Sequence, residues 1–323
     1  MRILVTLAAM ACMAIAGQTA MAQTDDYPSK PIRFMVPYPP GGGLDIMARR
    51  VASQLGPLAG QEIVVENRGG AGGSIAMQAA AEAEPDGYTM ILAATAQMAI
   101  NPNLYASLPY DPIKDFEPVI WLAEAPMVLL AHPDTGFETL ADVVEYGKAN
   151  PGKLSFASSG IGSSPHLIFE MLTAAADFKA EHIPYQGGGK VYPDLLAGRV
   201  PLYFATVSSS REHIKEGRLQ PIAVSTKART EALPDVPTVA ETYPDFNAGV
   251  WYTIMVPDGT PEPIVQKLYE LVKEAFRSPE LAEPLANDAV RVVTEPPEVA
   301  AKFIEDEIKA YKSVVESSGA KVE

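Results

Sequence analysis

The stretch Pro37-Tyr38-Pro39-Pro40-Gly41-Gly42-Gly43-Leu44-Asp45 separates two segments with different hydrophobic periods. The segment before it, Ile32 to Val36, is a short apolar run typical of a buried strand. In the segment after it, apolar residues recur at intervals of three and four, which predicts a helix with one buried face. Those residues are Leu44, Met47, Ala48, Val51, Ala52 and Leu55. The stretch is therefore a glycine-rich turn from a strand into a helix, the unit from which α/β folds are built.

The same alternation of strand and helix continues along the chain. Further short apolar runs predict more strands, and helical spacing fills most of the intervals between them. Three more helices are predicted: one with Ser164 as N-cap and Pro165 at its first position, one that starts at Thr260 and Pro261, and one from about Pro297 to Ser317 with Gly319 as its stop. The fold class is therefore α/β. The predicted strands are Ile63 to Val65, Thr89 to Leu92, Val128 to Ala131, Leu154 to Phe156, His182 to Pro184, Leu202 to Phe204, Ile222 to Ser225 and Tyr252 to Val256.

Two other glycine-rich turns follow predicted strands. Ser158-Ser159-Gly160-Ile161-Gly162-Ser163-Ser164 opens a helix, and Tyr185-Gln186-Gly187-Gly188-Gly189-Lys190 follows the strand that ends at Pro184. A helix start offers free N–H groups and a positive dipole end, so it binds anions without a basic side chain. Neither a Walker A loop nor a G-x-G-x-x-G fingerprint is present. The turn that ends at Asp45 and the serine-rich turn, one in each of two domains, predict a cleft that holds a carboxylate from both sides, and the third turn could add contacts to the other end of the ligand.

The composition narrows the class of partner. The chain has 323 residues, with 40 acidic and 25 basic side chains and a formal net charge of −15. This excess of acid argues against nucleic acid, because the neutralisation of phosphates requires clustered Lys and Arg. The acidic composition does not exclude a small anion as the ligand. Helix starts and hydroxyls act on a ligand at close range, whereas salt screens the surface charges beyond about 8–10 Å.

Residues 1–22 have the layout of a secretory signal peptide. Arg2 is followed by an apolar run from Ile3 to Gly17 and by Ala20-Met21-Ala22, and this run is shorter than the about 20 residues of a membrane span. We expect cleavage after Ala22 and export to the periplasm; the alternative is an uncleaved anchor.

Cleavage removes Cys12, the one cysteine of the chain. The exported protein then has no thiol chemistry, and its histidines outside the serine-rich turn lack the spacing of metal ligands. No cofactor and no metal are expected. Those histidines are His132, His182 and His213.

The length suggests about two domains. Helical patterns lapse near Glu124–Met127 and Phe246–Val250, where Pro126 and Gly249 interrupt them, so the chain is expected to cross between domains there. The predicted division is residues 1–22 for the signal peptide, 23–125 and 249–323 for domain 1, and 126–248 for domain 2.

A series of motifs covers nearly all of the exported chain. They are Tyr27-Pro28-x-Lys30-Pro31-Ile32-Arg33, Pro37-Tyr38-Pro39-Pro40-Gly41-Gly42-x-x-Asp45, Val65-Glu66-Asn67-Arg68-x-Gly70-Ala71-Gly72-Gly73, Pro85-Asp86-Gly87-Tyr88-Thr89, Ser158-Ser159-Gly160-x-Gly162-Ser163-x-x-His166-Leu167, Asp194-Leu195-Leu196-Ala197-Gly198-Arg199-Val200 and Ala232-Leu233-Pro234-Asp235-Val236-Pro237-Thr238. In this order they resemble the Bug family, the TctC-like extracytoplasmic solute receptors of tripartite tricarboxylate transporters.

The resemblance implies a type II-like periplasmic binding protein, with two α/β domains, crossover strands as a hinge and a ligand cleft between the domains. It implies that both turns hold one carboxylate, partly through ordered waters. Thr95 and Thr206 are weaker candidates for the specificity side of the pocket. The other ligand-binding residues carried over are Tyr38, Gly42, Gly43, Asp45, Ser158, Ser159, Gly160, Gly162, Ser163 and His166.

Two positions need separate comment. Asp45 is acidic and starts a helix, so we expect it to order water or cap backbone N–H groups rather than touch an anion. At Gln186-Gly187-Gly188-Gly189-Lys190 the chain departs from the family pattern, which commonly reads Lys-Gly-x-Ala-Pro. Lys190 could pair with a second carboxylate or be a solvated surface lysine.

The function predicted is capture of a small mono- or dicarboxylate by a monomeric periplasmic protein that closes its domains on the ligand and delivers it to the permease of a tripartite tricarboxylate transporter. One alternative is a ligand sensor that feeds a signalling partner. The other is an exported hydrolase, against which stands the lack of a G-x-S-x-G elbow, an HExxH motif and an exported cysteine. We therefore expect no enzyme activity. The sequence does not identify the carboxylate or the permease.

Overall fold

The computed structural model of the protein describes residues 26–318, with side chains described as far as residue 316. Within this range the strands are β1 (Ile32–Val36), β2 (Ile63–Asn67), β3 (Thr89–Ala94), β4 (Phe116–Ala125), β5 (Met127–Ala131), β6 (Ser155–Ser158), β7 (Glu181–Pro184), β8 (Leu202–Thr206), β9 (Gln220–Val224), β10 (Val250–Pro257) and β11 (Arg291–Glu295).

The helices alternate with these strands over most of the same range. They are α1 (Gly43–Ala59), α2 (Ser74–Ala81), α3 (Asn101–Leu104), α4 (Leu140–Ala149), α5 (Ser164–Ala176), α6 (Tyr192–Leu195), α7 (Val207–Lys215), α8 (Glu262–Ala275), α9 (Pro279–Asn287) and α10 (Pro297–Ser318). A π-helical turn, Ala96–Ile100, precedes α3.

The strands form two mixed sheets, which confirms the predicted α/β class. The first sheet has the order β11-β4-β10-β3-β1-β2, and the second has the order β7-β6-β8-β5-β9. All strands of the second sheet lie between β4 and β10 in the chain, so the chain leaves the first sheet at Pro126 and has returned to it at Val250. The predicted domain boundaries remain a prediction.

Each sheet contains a topological switch point. In the first sheet β1 pairs in parallel with β2 on one side and with β3 on the other. In the second sheet β6 pairs in parallel with β7 and with β8. The chain turns away in opposite directions after β1 and β3, and after β6 and β8, which leaves a crevice at the carboxyl ends of these strands.

The sequence analysis did not predict two of the strands, β4 and β11. β4 contains five consecutive apolar residues, Val119 to Ala123, which the sequence analysis did not assign to a strand, whereas β11 is largely exposed and shows no such run. Pro118 lies beyond the part of β4 that pairs with β11 and beside a register shift in the pairing with β10. A proline is tolerated at such a bulge on a locally open edge.

The apolar faces predicted for the helices are the faces that pack on the sheets, as α1 shows. In α1, Met47, Ala48, Val51 and Leu55 are buried, whereas Leu44 and Ala52 are partly buried. α10 begins at Pro297 as predicted, but its predicted stop at Gly319 lies outside the described residues, as do the signal peptide and its cleavage site. No helix within residues 26–318 is both long enough and apolar enough to cross a membrane.

Candidate functional site

A cavity of about 50 Å³ lies where the carboxyl edges of the two sheets face each other. The first sheet contributes the turn after β1 and the end of β3, and the second contributes the turns after β6 and β8. These are the two switch points, which is where α/β sheets bind ligands. Five residues predicted for the site line the cavity: Tyr38, Gly42, Gly43, Ser159 and Thr206.

Tyr38 presents a hydroxyl that can still donate. Its oxygen accepts a hydrogen bond from Gln97 Nε2 at 3.1 Å, which leaves the hydroxyl hydrogen available. Burial raises the pKa of this phenol well above its ordinary value. Tyr38 is therefore a neutral donor at physiological pH, suited to a carboxylate oxygen.

Gly43, the first residue of α1, touches the opposite half of the molecule. A Cβ built on Gly43 would lie 2.6 Å from Thr206 Oγ1, the last residue of β8. Glycine at this position therefore lets the start of α1 approach the second sheet, where its free N–H groups face the cavity.

Asp45 supports the turn and does not line the cavity. Its carboxylate accepts hydrogen bonds from the Gly41 N–H at 3.0 Å, from Arg49 Nε at 2.9 Å and from Asn67 Nδ2 at 3.0 Å. Burial raises its pKa, but these hydrogen bonds and the arginine charge outweigh burial and hold the pKa below the usual value. This geometry matches the expectation that Asp45 caps a backbone N–H group.

The serine-rich turn is held by bonds among its own residues. The hydroxyls of Ser158 and Ser163 both donate to the carbonyl oxygen of Gly160, at 3.0 and 2.6 Å. Both serines are fully buried, and neither they nor Gly160 line the cavity. In this arrangement the three residues shape the turn, and the neighbouring Ser159 reaches the cavity.

His166 also belongs to the support of this turn. Its ring stacks on His182 with centroids 3.9 Å apart, and its Nδ1 accepts from the Gly162 N–H at 3.3 Å. His182 Nε2 in turn lies 2.6 Å from Ser158 Oγ. Burial, and for His166 also the neighbouring His182, lowers the pKa of His166 to about 3 and that of His182 to about 4, so both rings are neutral.

The start of α5 corrects one prediction. Its N-cap is Ser163 rather than Ser164, and the Ser163 side chain bonds to Gly160 instead of to a helical N–H group. Ser164 is instead the first helical residue, and it lines the cavity together with Pro165. Gly162 does not line the cavity; a Cβ there would lie 2.6 Å from Leu104 Cδ2.

The two threonines behave differently. Thr206 lines the cavity, and its Oγ1 lies 3.0 Å from the hydroxyl of Ser209. Thr95 is fully buried and accepts a hydrogen bond from the Trp251 N–H at 2.9 Å, so it ties β3 to β10 and does not face the cavity.

Sequence reasoning did not single out Tyr203 or Ser164 as ligand contacts. Both line the cavity, with 4% and 5% of their surface exposed, and neither hydroxyl has a hydrogen-bond partner among the described residues. Tyr203 lies inside β8, whose residues are all buried, so no alternation of polar and apolar residues marked it. The further lining residues are Leu44, Ala94, Ala96, Met127, Gly188, Ser209 and Val250.

The third glycine turn forms one of the close contacts between the two halves. A Cβ on Gly42 would lie 3.8 Å from the Gly188 nitrogen, and one on Gly189 would lie 2.6 Å from the carbonyl oxygen of Pro40. Lys190, the next residue, is exposed and does not line the cavity. This placement favours the interpretation of Lys190 as a surface lysine.

Three helix starts lie at the cavity, and no basic residue within the described part of the chain lines it. The first residues of α1, α5 and α7 all line it or directly follow a lining residue, and these helices are 17, 13 and 9 residues long. Each helix start carries about half a positive charge. No group of His, Cys, Asp and Glu residues suited to a metal ion occurs between residues 26 and 316.

Comparison with known proteins places this geometry in a family. The family model described as the tripartite tricarboxylate transporter family receptor matches residues 47–320. BugT of Bordetella pertussis is 37% identical over 312 residues, which is 96% of each chain. The periplasmic binding protein BugD is 32% identical, with a TM-score of 0.88 over 91% of this chain and 99% of that one.

A third relative was determined with a ligand. Rpa4515 of R. palustris, with adipate, is 31% identical and has a TM-score of 0.89 over 92% of this chain and all of that one. The chain therefore belongs to the tripartite tricarboxylate transporter receptor family, and it is a Bug-type extracytoplasmic solute-binding protein.

Proposed function

We propose that this protein captures a small organic carboxylate in the cavity between its two sheets and delivers it to the permease of a tripartite tricarboxylate transporter. The observation that carries the proposal is the convergence of three helix starts and unpartnered hydroxyls on one cavity at both switch points. The adipate bound to Rpa4515 supports the ligand class. The proposed binding residues are Tyr38, Gly42, Gly43, Ser159, Ser164, Tyr203 and Thr206.

The donors of this cavity are sufficient for tight binding. A hydrogen bond to a charged group contributes about 1.5–3 kcal/mol. Four or five such bonds contribute about 6–15 kcal/mol before the cost of association is subtracted, and micromolar affinity requires a net of about −8 kcal/mol. Tyr38, Ser164, Tyr203 and Thr206, which carry most of these donors, are buried, and hydrogen bonds are stronger in such surroundings than in water.

Binding is proposed to proceed by closure of two domains, residues 23–125 with 249–323 and residues 126–248. The cavity holds only a few water-sized volumes at about 50 Å³, so a ligand must enter a more open arrangement. Buried Asp288, which bonds Arg50 of α1 and lies 3.4 Å from Arg211 of α7, would bridge the proposed domains on closure. The hinge would be the crossings at Pro126 and Gly249.

The arrangement of Ser158 and His182 requires comparison with a hydrolase, because their 2.6 Å separation suits a nucleophile and its base. Ser158 is fully buried and already donates its hydrogen to Gly160, and it does not line the cavity. A substrate in the cavity would not reach it. These contacts favour a binding protein over a hydrolase. We propose that it works in the periplasm after cleavage at Ala22.

A thermal-shift screen against carboxylates, followed by calorimetry, tests the proposal. At least one carboxylate is expected to raise the melting temperature and to bind with micromolar or tighter affinity. Ser159→Trp is expected to abolish this binding because the indole would fill the cavity, whereas Lys190→Ala, at an exposed position, serves as the matched control. Absence of any carboxylate ligand, or full affinity in Ser159→Trp, would contradict the proposed site.

Delivery to a permease is a separate step and needs its own experiment. Deletion of the gene should abolish uptake of the identified carboxylate while an induced response to it remains. If uptake is unchanged and the transcriptional response is lost, the protein is a sensor.

A further inference from the structure

Gln97 is a buried polar residue beside the cavity. It belongs to the π-helical turn Ala96–Ile100, whose other four residues are apolar, and none of its surface is exposed. It does not line the cavity, but it is hydrogen-bonded to Tyr38 and Ala94, which do. A buried amide is costly unless its hydrogen bonds are made, and π-helical turns are frequent at functional sites. Gln97 is therefore placed to act on the ligand through its neighbours.

Two backbone groups fix the orientation of the Gln97 amide. The Ala94 N–H donates to Oε1 at 3.2 Å, and Nε2 donates to the carbonyl oxygen of Gly72 at 2.9 Å. A flipped amide would put its NH2 group against an N–H group and its oxygen against a carbonyl oxygen. The neighbouring turn packs tightly on this amide, since a Cβ built on Gly73 would lie 2.6 Å from Nε2. The fold therefore determines where the amide donates and where it accepts.

The fixed amide determines the role of the Tyr38 hydroxyl. One hydrogen of Gln97 Nε2 goes to Gly72, and the second is donated to Tyr38 Oη at 3.1 Å. Tyr38 therefore accepts from Gln97, and its own hydrogen has to be donated elsewhere. No residue in the described part of the chain accepts it, and Tyr38 lines the cavity. The hydrogen is thus left for an acceptor on the ligand.

We propose that Gln97 is a positioning residue that determines ligand specificity, because it holds the Tyr38 hydroxyl as a donor toward the cavity. This inference rests on the proposed function, since it assumes that a carboxylate binds there. An ionised carboxylate only accepts hydrogen bonds, so its two oxygens suit both this donor and the N–H groups of the helix starts. A carboxamide of the same shape has an NH2 group that faces one donor or the other. Gln97 therefore selects the acid over its amide.

Gln97→Glu reverses the Tyr38 hydroxyl with almost no change in side-chain shape. The new carboxyl group still accepts from the Ala94 N–H, but its other oxygen replaces Nε2. If that oxygen carries a proton, the carbonyl of Gly72 holds it, because a carbonyl can only accept. If it carries none, it accepts from its neighbours. In both cases Tyr38 has to donate to the new carboxyl group and presents a lone pair to the ligand.

Calorimetry of the exported protein with acid–amide pairs tests this role. The pairs are butyrate and butyramide, adipate and adipamide, and benzoate and benzamide. For the acid that binds most tightly, Gln97→Glu is expected to weaken binding about 30-fold and to lower the ratio of acid to amide affinity about as much. Gln266→Glu makes the same change at an exposed position of α8 and should leave both affinities unaltered.

Two results of this experiment have different meanings. An unchanged ratio of acid to amide affinity in Gln97→Glu overturns the inference but leaves the proposed function intact. If no acid binds the unaltered protein, the proposed function fails and the inference fails with it.

A purely structural role of Gln97 predicts a different result when the Tyr38 hydroxyl is missing. In a Tyr38→Phe protein, Gln97→Glu is expected to change the acid affinity by less than about threefold, because the group through which it acts is gone. Distortion of the site, or repulsion by the introduced carboxyl group, would weaken binding equally in both proteins and would overturn the inference.

Should Gln97→Glu not fold, neutron diffraction of the unaltered protein with the tightest of these acids decides. A Tyr38 hydroxyl deuterium directed at the ligand, with the deuterium between the two side chains on Gln97 Nε2, supports the inference. A Tyr38 deuterium directed at Gln97 overturns it.

Discussion

Gly189→Ala would test whether the backbone contact between the two halves limits ligand affinity. Gly189 does not occupy the left-handed region, so alanine can adopt its backbone conformation. The added methyl would lie 2.6 Å from the carbonyl oxygen of Pro40 and 3.2 Å from the carbonyl carbon of Gly41. Both neighbours are backbone atoms, which cannot rotate away as the end of a side chain can.

The size of the effect follows from the displacement that the methyl requires. To lengthen the 2.6 Å contact to an ordinary distance of about 3.4 Å, the two turns must separate by about 0.8 Å. A hydrogen bond of about 2.9 Å across the cleft would then exceed about 3.5 Å and be lost. The loss of one bond to a charged ligand weakens binding by about 2 kcal/mol, or about 30-fold in Kd.

Calorimetry with the tightest carboxylate, combined with small-angle scattering, would measure this prediction. The Gly189→Ala protein should bind about 30-fold more weakly and remain less compact with saturating ligand, while its melting temperature without ligand stays close to that of the unaltered protein. Lys190→Ala, the exposed neighbour, is the control and should behave like the unaltered protein. Unchanged affinity in Gly189→Ala would show that the contact between Gly189 and Pro40 is absent from the liganded state.

Three further predictions address other parts of the site. Tyr203→Phe removes a hydroxyl without a partner among the described residues, so affinity should fall about tenfold with an unchanged melting temperature, and a parallel loss of thermal stability would contradict the role assigned. Asp288→Asn removes the negative charge between arginines of α1 and α7, and because those arginines are partly exposed we expect urea denaturation to show a loss of only about 1–3 kcal/mol. Burial lowers the pKa of His166 to about 3 and of His182 to about 4, whereas the unfolded chain binds these protons near pH 6.5. The free energy of unfolding should therefore fall as the pH drops from 6.5 toward 4, and equal slopes for the unaltered protein and His182→Gln would refute this.

Much of the site could be predicted because its backbone features are local. Consecutive residues specify a strand, a glycine-rich turn and a helix with one apolar face. This pattern predicted that Gly42, Gly43 and Ser159 lie at the site, and all three line the cavity. Side chains that support the turn could not be told apart from those that face the ligand. Ser158 and His166 occupy the same motif as Ser159, yet they bond within their own half of the molecule.

Contacts between distant segments were beyond sequence reasoning. Tyr203 is one of five consecutive buried residues, so its position beside the cavity depends on which strands neighbour β8. β11 shows no apolar run because most of it is exposed, and the apolar run Val119 to Ala123 of β4 does not reveal which strands neighbour it. β4 pairs with β10 on one side and with β11 on the other, and both are distant from it in the chain.

By itself, the sequence determined the α/β class, most of the helix starts and the glycine- and hydroxyl-rich composition of the turns, because hydrophobic period and glycine placement act over a few residues. Only the tertiary structure decided which residues of each turn line the cavity and which other residues complete its wall. The strand order brings the ends of β1, β3, β6 and β8 to one cavity and sets Met127 and Val250 in its wall. The residues that line the cavity are uncharged and far apart in the chain, so only the packing of the fold brings them together.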